Sequence, residues 1–349
     1  MTICVLFNCM ACLQGHLRQA MQHLRSGLKL LREIDEEEGK SGSVAKEVPA
    51  HPVSLKSLRR IFITLDTQAR SIMPPWDYLL WEPALKHGLP FPLDPSRVRD
   101  TSLYSFEDVQ LYLESILNRF FAFVQDIGSL RSSPSDWENV ERTALNLKAQ
   151  TEEGGIMLEE MLSKPHPSPD VNKPRLEIAL RLLHSTIVLA VTAFEHKKFN
   201  KAQEFGVEET EFDGNAHFEV IMGRVSALIA LDSQPDDKTQ KSSSQASQRP
   251  IFSLSTGVLA TLWWIAQQTS SLTLRRKAIS MMMEQPRREG FWDGPIAGKL
   301  ALQVFELEQQ GIQYRDEFGE GPEHWPEDVP EPLRLMRYPM PEVEKLLTR

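Results

Sequence analysis

Three cysteines and a few histidines are the first side chains whose types could do chemistry. Cys9 and Cys12 form a C-x₂-C pair, Cys4 lies upstream, and His16 and His23 follow. Zinc sites of small modules pair such a motif with a second one, and the chain holds no further Cys. Cys9, Cys12 and His16 also fall in one continuous helical pattern. The spacing therefore predicts small, buried, apolar thiols rather than ligands. Three Cys exclude a disulfide scaffold and fit a reducing compartment. His51, His166 and His324 adjoin prolines, and His184 sits beside the apolar stripe of a strong helical pattern, where a hydrogen-bonded boundary residue is expected. No H-E-x-x-H, G-x-S-x-G or phosphate-binding glycine loop occurs. A diphosphate-processing helical enzyme would need clustered acids to hold magnesium. Asp236-Asp237 lacks a third acid at position 240, which is Gln240. The residues thus predict no catalytic group, metal ligand or cofactor, and no enzyme.

Basic islands stand out in an acidic chain of 349 residues and net charge −9. Arg275-Arg276-Lys277 and Arg287-Arg288 could meet an acidic partner, but a solvated helix face with ion pairs to Glu284 and Glu289 accounts for them. Net acidity argues against this chain alone gripping nucleic acid, which needs clustered Lys and Arg. Trp263, Trp264 and Trp292 read as core or rim aromatics. Met281, Met282 and Met283 would suit an adaptable groove or plain core filling.

The elements that must position these residues follow a helical period. The first thirteen residues are apolar, lack early basic residues and are interrupted by Asn8. They predict a buried helix rather than a secretory signal or membrane anchor. Leu17, Ala20, Met21, Leu24, Leu28 and Leu31 continue an amphipathic stripe. Asp35 to Glu38 should lie beyond its end, because acids oppose the dipole at a helix C-terminus. Further helices are expected near 55–70, from a cap at Ser105 with Asp108 three residues on, over 137–161 with a weak point at Gly154-Gly155, over 176–194, around 218–229, and near 255–268, 273–285 and 295–311. Pro- or Ser-rich segments at about 39–52, 73–102, 164–174 and 232–250 read as loops. No stretch alternates with period two long enough for a strand. The expected fold is all-α, an antiparallel helical array or bundle of solenoid-like character. One helical domain should cover 1–311, followed by a Pro- and acid-rich tail at 312–349.

Three stretches carry a resemblance: LQGHLRQAMQHLRSGLKLL (13–31) with FITLDTQARS (62–71), LEIALRLLHSTIVLAVTA (176–193), and FSLSTGVLATLWWIAQQTSSLTLRRKAISMMMEQPRREGFWDGPIAGKLA (252–301). The last, with its order of apolar helix, R-R-K-A-I helix, P-R-R-E-G-x-W-D and closing helix, is the most specific. Together they resemble the C-terminal regulatory region of fungal zinc-cluster transcription factors, the binuclear-zinc, six-cysteine type. The resemblance implies control of transcription in the nucleus, of metabolic or secondary-metabolite genes. It implies protein partners in the transcription machinery or a DNA-binding regulator, with room for a small-molecule effector. The six-cysteine cluster that reads DNA in that family has no counterpart here, so no direct DNA binding and no membrane contact are expected of this chain. It begins inside the first regulatory helix, which fits a truncated product or a stand-alone regulator. A helical biosynthetic enzyme and a non-nuclear scaffold are the alternatives.

Within the third stretch, residues 286–293 read as an elbow. Pro286 stops a helix, Gly290 permits a tight turn, Trp292 can wedge into the core, and Asp293 with Pro295 can start the next helix. Arg287 and Arg288 could bind helix-terminal carbonyls or acids such as Glu289. Arg287, Arg288, Glu289, Gly290, Trp292 and Asp293 are thus the candidate structural or interaction residues.

Overall fold

The computed structural model describes residues 1–40, 53–72, 105–129, 134–163, 173–202, 214–232, 251–254, 257–284 and 286–309. Of the loops expected at about 39–52, 73–102, 164–174 and 232–250, residues 39–40, 173–174 and 232 belong to helices; the rest of them, the tail at 312–349, and His51, His166, Asp236, Asp237 and His324 lie outside the described residues. The described residues form an all-α array: α1 (Thr2–Gln14), α2 (Leu17–Lys40), α3 (Leu55–Ile72), α4 (Phe106–Ser129), α5 (Pro134–Ser163), α6 (Lys173–Ala202), α7 (Gly214–Asp232), α8 (Leu259–Gln268), α9 (Leu272–Glu284) and α10 (Gly294–Gln309). Sequence-adjacent helices pack on one another through most of the chain, as short connections dictate.

Several corrections to the sequence expectations emerge. First, α1 is buried on one face only, with Ile3, Leu6, Phe7, Met10 and Leu13 exposed. Second, strands exist. β1 (Ile251–Ser253), β2 (Arg287–Glu289) and β3 (Trp292–Asp293) form a small sheet in the order β1-β2-β3, with β1 parallel and β3 antiparallel to β2. Segments of two or three residues are too short to alternate visibly. Third, the helical pattern breaks between α1 and α2. Gly15 takes φ +77°, and the amides of Gly15 and His16 close onto the carbonyls of Cys12 and Ala11 at 3.1 and 2.8 Å. This left-handed cap satisfies carbonyls that the helix end would orphan. Fourth, the acidic run from Asp35 stays in α2, which continues to Lys40. Arg59 of α3 forms an ion pair with Asp35, and Lys29 lies 3.9 Å from Glu33.

The cap at Ser105 forms as its sequence indicates. Ser105 Oγ accepts the Asp108 amide at 3.2 Å, and Asp108 Oδ2 accepts the Ser105 amide at 3.1 Å. This reciprocal pair satisfies two orphan donors at the start of α4. The Gly154-Gly155 pair does not interrupt α5, which runs unbroken from Pro134 to Ser163. It lets neighbours approach: a Cβ on Gly154 would lie 2.9 Å from Leu113, and one on Gly155 would lie 2.8 Å from the His184 ring.

Buried side chains gather in three cores. The first joins α4, α5 and one face of α6, through residues such as Leu113, Leu158 and Ile187. The second joins α7, α8, α9 and α10 to Leu182 and Leu189 on another face of α6. The third joins α1, α2 and α3 with Leu111 of α4 and Phe291. Because α6 serves two cores, it is apolar nearly all round. Its stretch Lys173–Phe194 is long and apolar enough to cross a membrane by length and composition. In this fold those apolar side chains are taken up by the two cores.

Candidate functional site at the 286–293 elbow

Pro286 follows the end of α9, and β2 runs directly from it, anchored by the Ile251 amide donating to the Pro286 carbonyl at 3.0 Å. Gly290 and Phe291 make the two-residue turn into β3, with Gly290 at φ +52°. Such a left-handed conformation favours glycine. Asp293 then begins α10: its Oδ1 accepts the Ile296 amide at 3.2 Å, as a helix N-cap does.

Each elbow side chain reaches a different part of the array. Arg288 Nη1 donates to the Cys12 and Leu13 carbonyls at 2.5 and 2.7 Å, so a cation placed far along the chain caps the C-terminus of α1. This geometry also complements the helix dipole. The same guanidinium pairs with Asp293. Arg287 reaches Asp232, the last residue of α7, through Nη2, and Glu289 Oε1 through Nη1 at 3.3 Å. Glu289 is buried and accepts the Val258 and Leu259 amides at 3.0 and 2.9 Å, which caps α8. Trp292 Nε1 donates to Ser71 Oγ of α3 at 3.0 Å. Its ring lies 5.8 Å from that of Trp263. Consecutive residues part company here: Phe291 enters the third core and Trp292 the second.

Two sequence readings of the basic islands need correction. Arg287 is buried, not on a solvated face, although Glu289 is indeed its partner. Arg275 is buried as well. Its Nε donates to the Ala266 carbonyl at 2.7 Å, and its guanidinium lies 5.2 Å from the Phe305 ring centroid. Both arginines trade hydration for fixed acceptors, which sequence periodicity does not reveal.

The electrostatics of the elbow hold helices in place. All six carboxylate oxygens of Asp232, Glu289 and Asp293 are engaged. Asp232 receives Arg175 and Arg287, Glu289 receives two amides and Arg287, and Asp293 receives Arg288 and the Ile296 amide. Burial raises the Asp232 carboxyl, but the Arg175 and Arg287 hydrogen bonds outweigh it and hold the group below its ordinary range. Burial pushes the Glu289 carboxyl up, against the pull of Arg287 and the two amides. Carboxylates committed in this way fasten elements together; a general base needs a lone pair aimed at a substrate.

The cysteines behave as buried thiols in part. Cys12 is buried and donates to Asn8 Oδ1 at 3.7 Å, and burial, with Cys9 beside it, pushes its thiol up to about 12 against the pull of Arg288. Cys4 and Cys9 are only half-buried, which departs from the expectation. Among the described residues, no group of three or more His, Cys, Asp or Glu side chains is gathered to hold a metal ion. His184 is half-buried, its Nε2 lies 3.1 Å from the Thr151 carbonyl, and burial pulls its pKa down.

A buried polar network between α3 and α4 was not foreseen. Asp66 and Arg70, one helical turn apart, pair at 3.1 Å with both side chains almost wholly buried. Asn118 Nδ2 donates to Asp66 at 2.9 Å and to Thr67 Oγ1 at 3.0 Å. Arg70 also donates to Gln125. A turn away, Glu114 accepts from Thr64 at 2.5 Å and from Gln110 at 2.8 Å, and burial pushes its carboxyl up. Polar residues at i and i+4 inside both apolar patterns were the available signal, since such pairs share a face. The elbow adjoins this end of α3, where Gln68 Nε2 donates to the Leu254 carbonyl at 2.9 Å.

No protein-family model matches the chain, and no solved structure matches it. It is similar to the aspercryptin biosynthesis cluster-specific transcription regulator of Emericella nidulans, at 24% identity over 373 residues. The match covers 89% of this chain and 58% of that protein, so the chain spans less than two thirds of the relative's length. Most of this helical array is thus related to part of a fungal regulator of transcription.

Proposed function

We propose that the chain is a helical regulatory domain of the fungal zinc-cluster transcription factor kind, and that residues 1–349 do not themselves read DNA. It acts in the nucleus through contacts with protein partners, from the transcription machinery or a DNA-binding regulator, or with a small-molecule effector. Its targets are metabolic or secondary-metabolite genes, and it catalyses no reaction. The observation that carries this reading is the similarity, along 89% of the chain, to a regulator whose name ties it to one biosynthetic cluster. The engaged carboxylates of the elbow support a positioning role rather than turnover.

The test fuses the chain to an unrelated DNA-binding module upstream of a reporter in a fungal host and follows a fluorescently tagged copy. The expected result is a several-fold change in reporter output and nuclear signal. An unchanged reporter together with exclusion from the nucleus would overturn the proposal. Gel shifts with the purified chain at physiological salt separate the finer part. Nanomolar, sequence-specific binding would show that the chain reads DNA itself.

A further inference from the structure

The buried arginines of this chain are tied to fixed acceptors. Arg70 pairs with Asp66, Arg287 with Asp232 and Glu289, and Arg275 donates to the Ala266 carbonyl. Arg119, half-buried on α4, differs. Its Nε and Nη2 are both buried and meet no acceptor. No carboxylate of the described residues pairs with it. Burial pulls its pKa down, and the group that draws it back up is Tyr112, two turns earlier on the same flank of α4. That flank faces α5. The Tyr112 hydroxyl donates to Glu153 at 2.8 Å and lies 3.5 Å from the Gln150 carbonyl. Gln150 in turn spends its Nε2 on Asn146 at 3.0 Å, while its Oε1 is buried without a partner.

The two idle nitrogens of Arg119 share one edge of the planar guanidinium. That edge meets a carboxylate with two parallel N–H···O bonds. A buried cation left without a partner costs stability, and sites that bind a ligand are where such a cost is kept. Charge selects the occupant. One guanidinium balances one negative charge, which a monocarboxylate carries. Phosphate, at about −1.5 to −2 near neutral pH, would leave charge buried without a counterpart. Size selects it too. Both nitrogens are buried, so an acid on the surface of a folded partner cannot reach them, whereas a small ion enters as the Arg119 side chain changes rotamer. We infer that Arg119 is the receptor of a small organic acid, whose carboxylate seats on its Nε–Nη2 edge at the seam of α4 and α5. The inference rests on the effector part of the proposed function and gives that effector a chemical class.

Thermal unfolding of the full chain in sodium acetate, against sodium chloride at equal ionic strength, tests this. Acetate should raise the wild-type midpoint beyond chloride and saturate in the millimolar range, as so small a ligand allows. Anions excluded from protein surfaces stabilise every variant alike, so the readout is the difference between the wild type and Arg119→Met. In chloride, Arg119→Met should raise the midpoint by on the order of 2–4 °C, because the unpaired charge is gone. It should also lose the saturable response to acetate. Arg119→Lys keeps the charge without the two-donor edge and should lose that response as well. Sodium phosphate should shift the wild type and Arg119→Met equally. A wild type whose response to acetate matches that of Arg119→Met overturns the inference. So does an Arg119→Met chain less stable than the wild type in chloride, or a saturable wild-type response to phosphate in place of acetate. The reporter assay reads the regulator proposal separately: a chain that alters the reporter but ignores acetate sinks this inference alone.

Discussion

Gly290 and Gln68 leave each other no spare room: a Cβ on Gly290 would lie 1.9 Å from Gln68 Oε1. The Gln68 side chain cannot simply swing away, because its Nε2 is held by the Leu254 carbonyl at 2.9 Å. Gly290 itself sits at φ +52°, which strains any L side chain. Gly290→Ala therefore combines left-handed strain with a clash against a tethered amide. It should cost about 2–4 kcal/mol, from roughly 1–2 for the backbone and 1–2 for the forced shift. Urea unfolding followed by circular dichroism checks this; a loss under about 1 kcal/mol would show that the turn tolerates a side chain.

Arg287 is the only side chain among the described residues that bridges Asp232 and Glu289. Arg287→Met leaves buried Glu289 without a cation and Asp232 with Arg175 alone, and breaking a buried pair typically costs about 3–5 kcal/mol. Arg287→Lys should recover only part of this, since one ammonium replaces a fork that reaches both acids. The damage should also be local. Glu289 caps α8 through the Val258 and Leu259 amides, so hydrogen exchange at those two amides should quicken before exchange in α4 does. Uniform quickening along the chain would count against the elbow as a separate fastening point.

The helices were legible because a 3.6-residue period is written into each chain segment, and caps such as Ser105 with Asp108 act within a single turn. Gly290 and Asp293 could be read for the same reason, as turn and cap residues that work through their own backbone. What escaped depends on distant partners. Arg287 looks solvated until Asp232, 55 residues earlier in the chain, is placed against it. The burial of Asp66 and Arg70 requires Asn118, roughly fifty residues later. Leu6 and Met10 are exposed while Asn8, a polar interruption of the apolar run, turns inward to the Ala20 carbonyl. The strands were invisible because their register is set by pairing between 251–253 and 287–289, and each run is too short to show a period of its own.

The elbow should respond to acid with a defined sign. Asp232 is held below its ordinary range in the folded chain. The stability it contributes is therefore fully present above the unfolded carboxylate value of about 3.9, and is lost as pH falls below that through the folded value. Glu289 runs the other way, with its carboxyl raised, so its effect lies at higher pH. Below about pH 4 Glu289 is largely protonated in both states, and Asp232 dominates the change at the elbow. Asp232→Asn should lower the thermal midpoint at pH 7 and flatten its fall between about pH 4 and pH 3. Parallel acid limbs in the two proteins would remove Asp232 from the account.

Two glycines should respond in opposite directions to the same substitution. A Cβ on Gly27 would lie 2.2 Å from Cε1 and 2.3 Å from Cζ of Phe62, a ring with no exposed surface in the third core. Cys4 of α1 closes the other side at 3.3 Å. The ring is wholly buried, so the overpacking cost of about 1–3 kcal/mol should exceed the helix-propensity gain of just under 1 kcal/mol. Gly223 of α7 has nothing within 4 Å of the same built atom. There Gly223→Ala keeps the propensity gain with no clash and should stabilise by about 0.5–1 kcal/mol. Gly27→Ala should destabilise and loosen α1 and α2 from α3, because Cys4 of α1 and Phe62 of α3 both lie against Gly27. Denaturant midpoints of the two variants against the parent decide the matter. If Gly27→Ala proved the more stable of the pair, the close contact of α1, α2 and α3 at this point would be wrong.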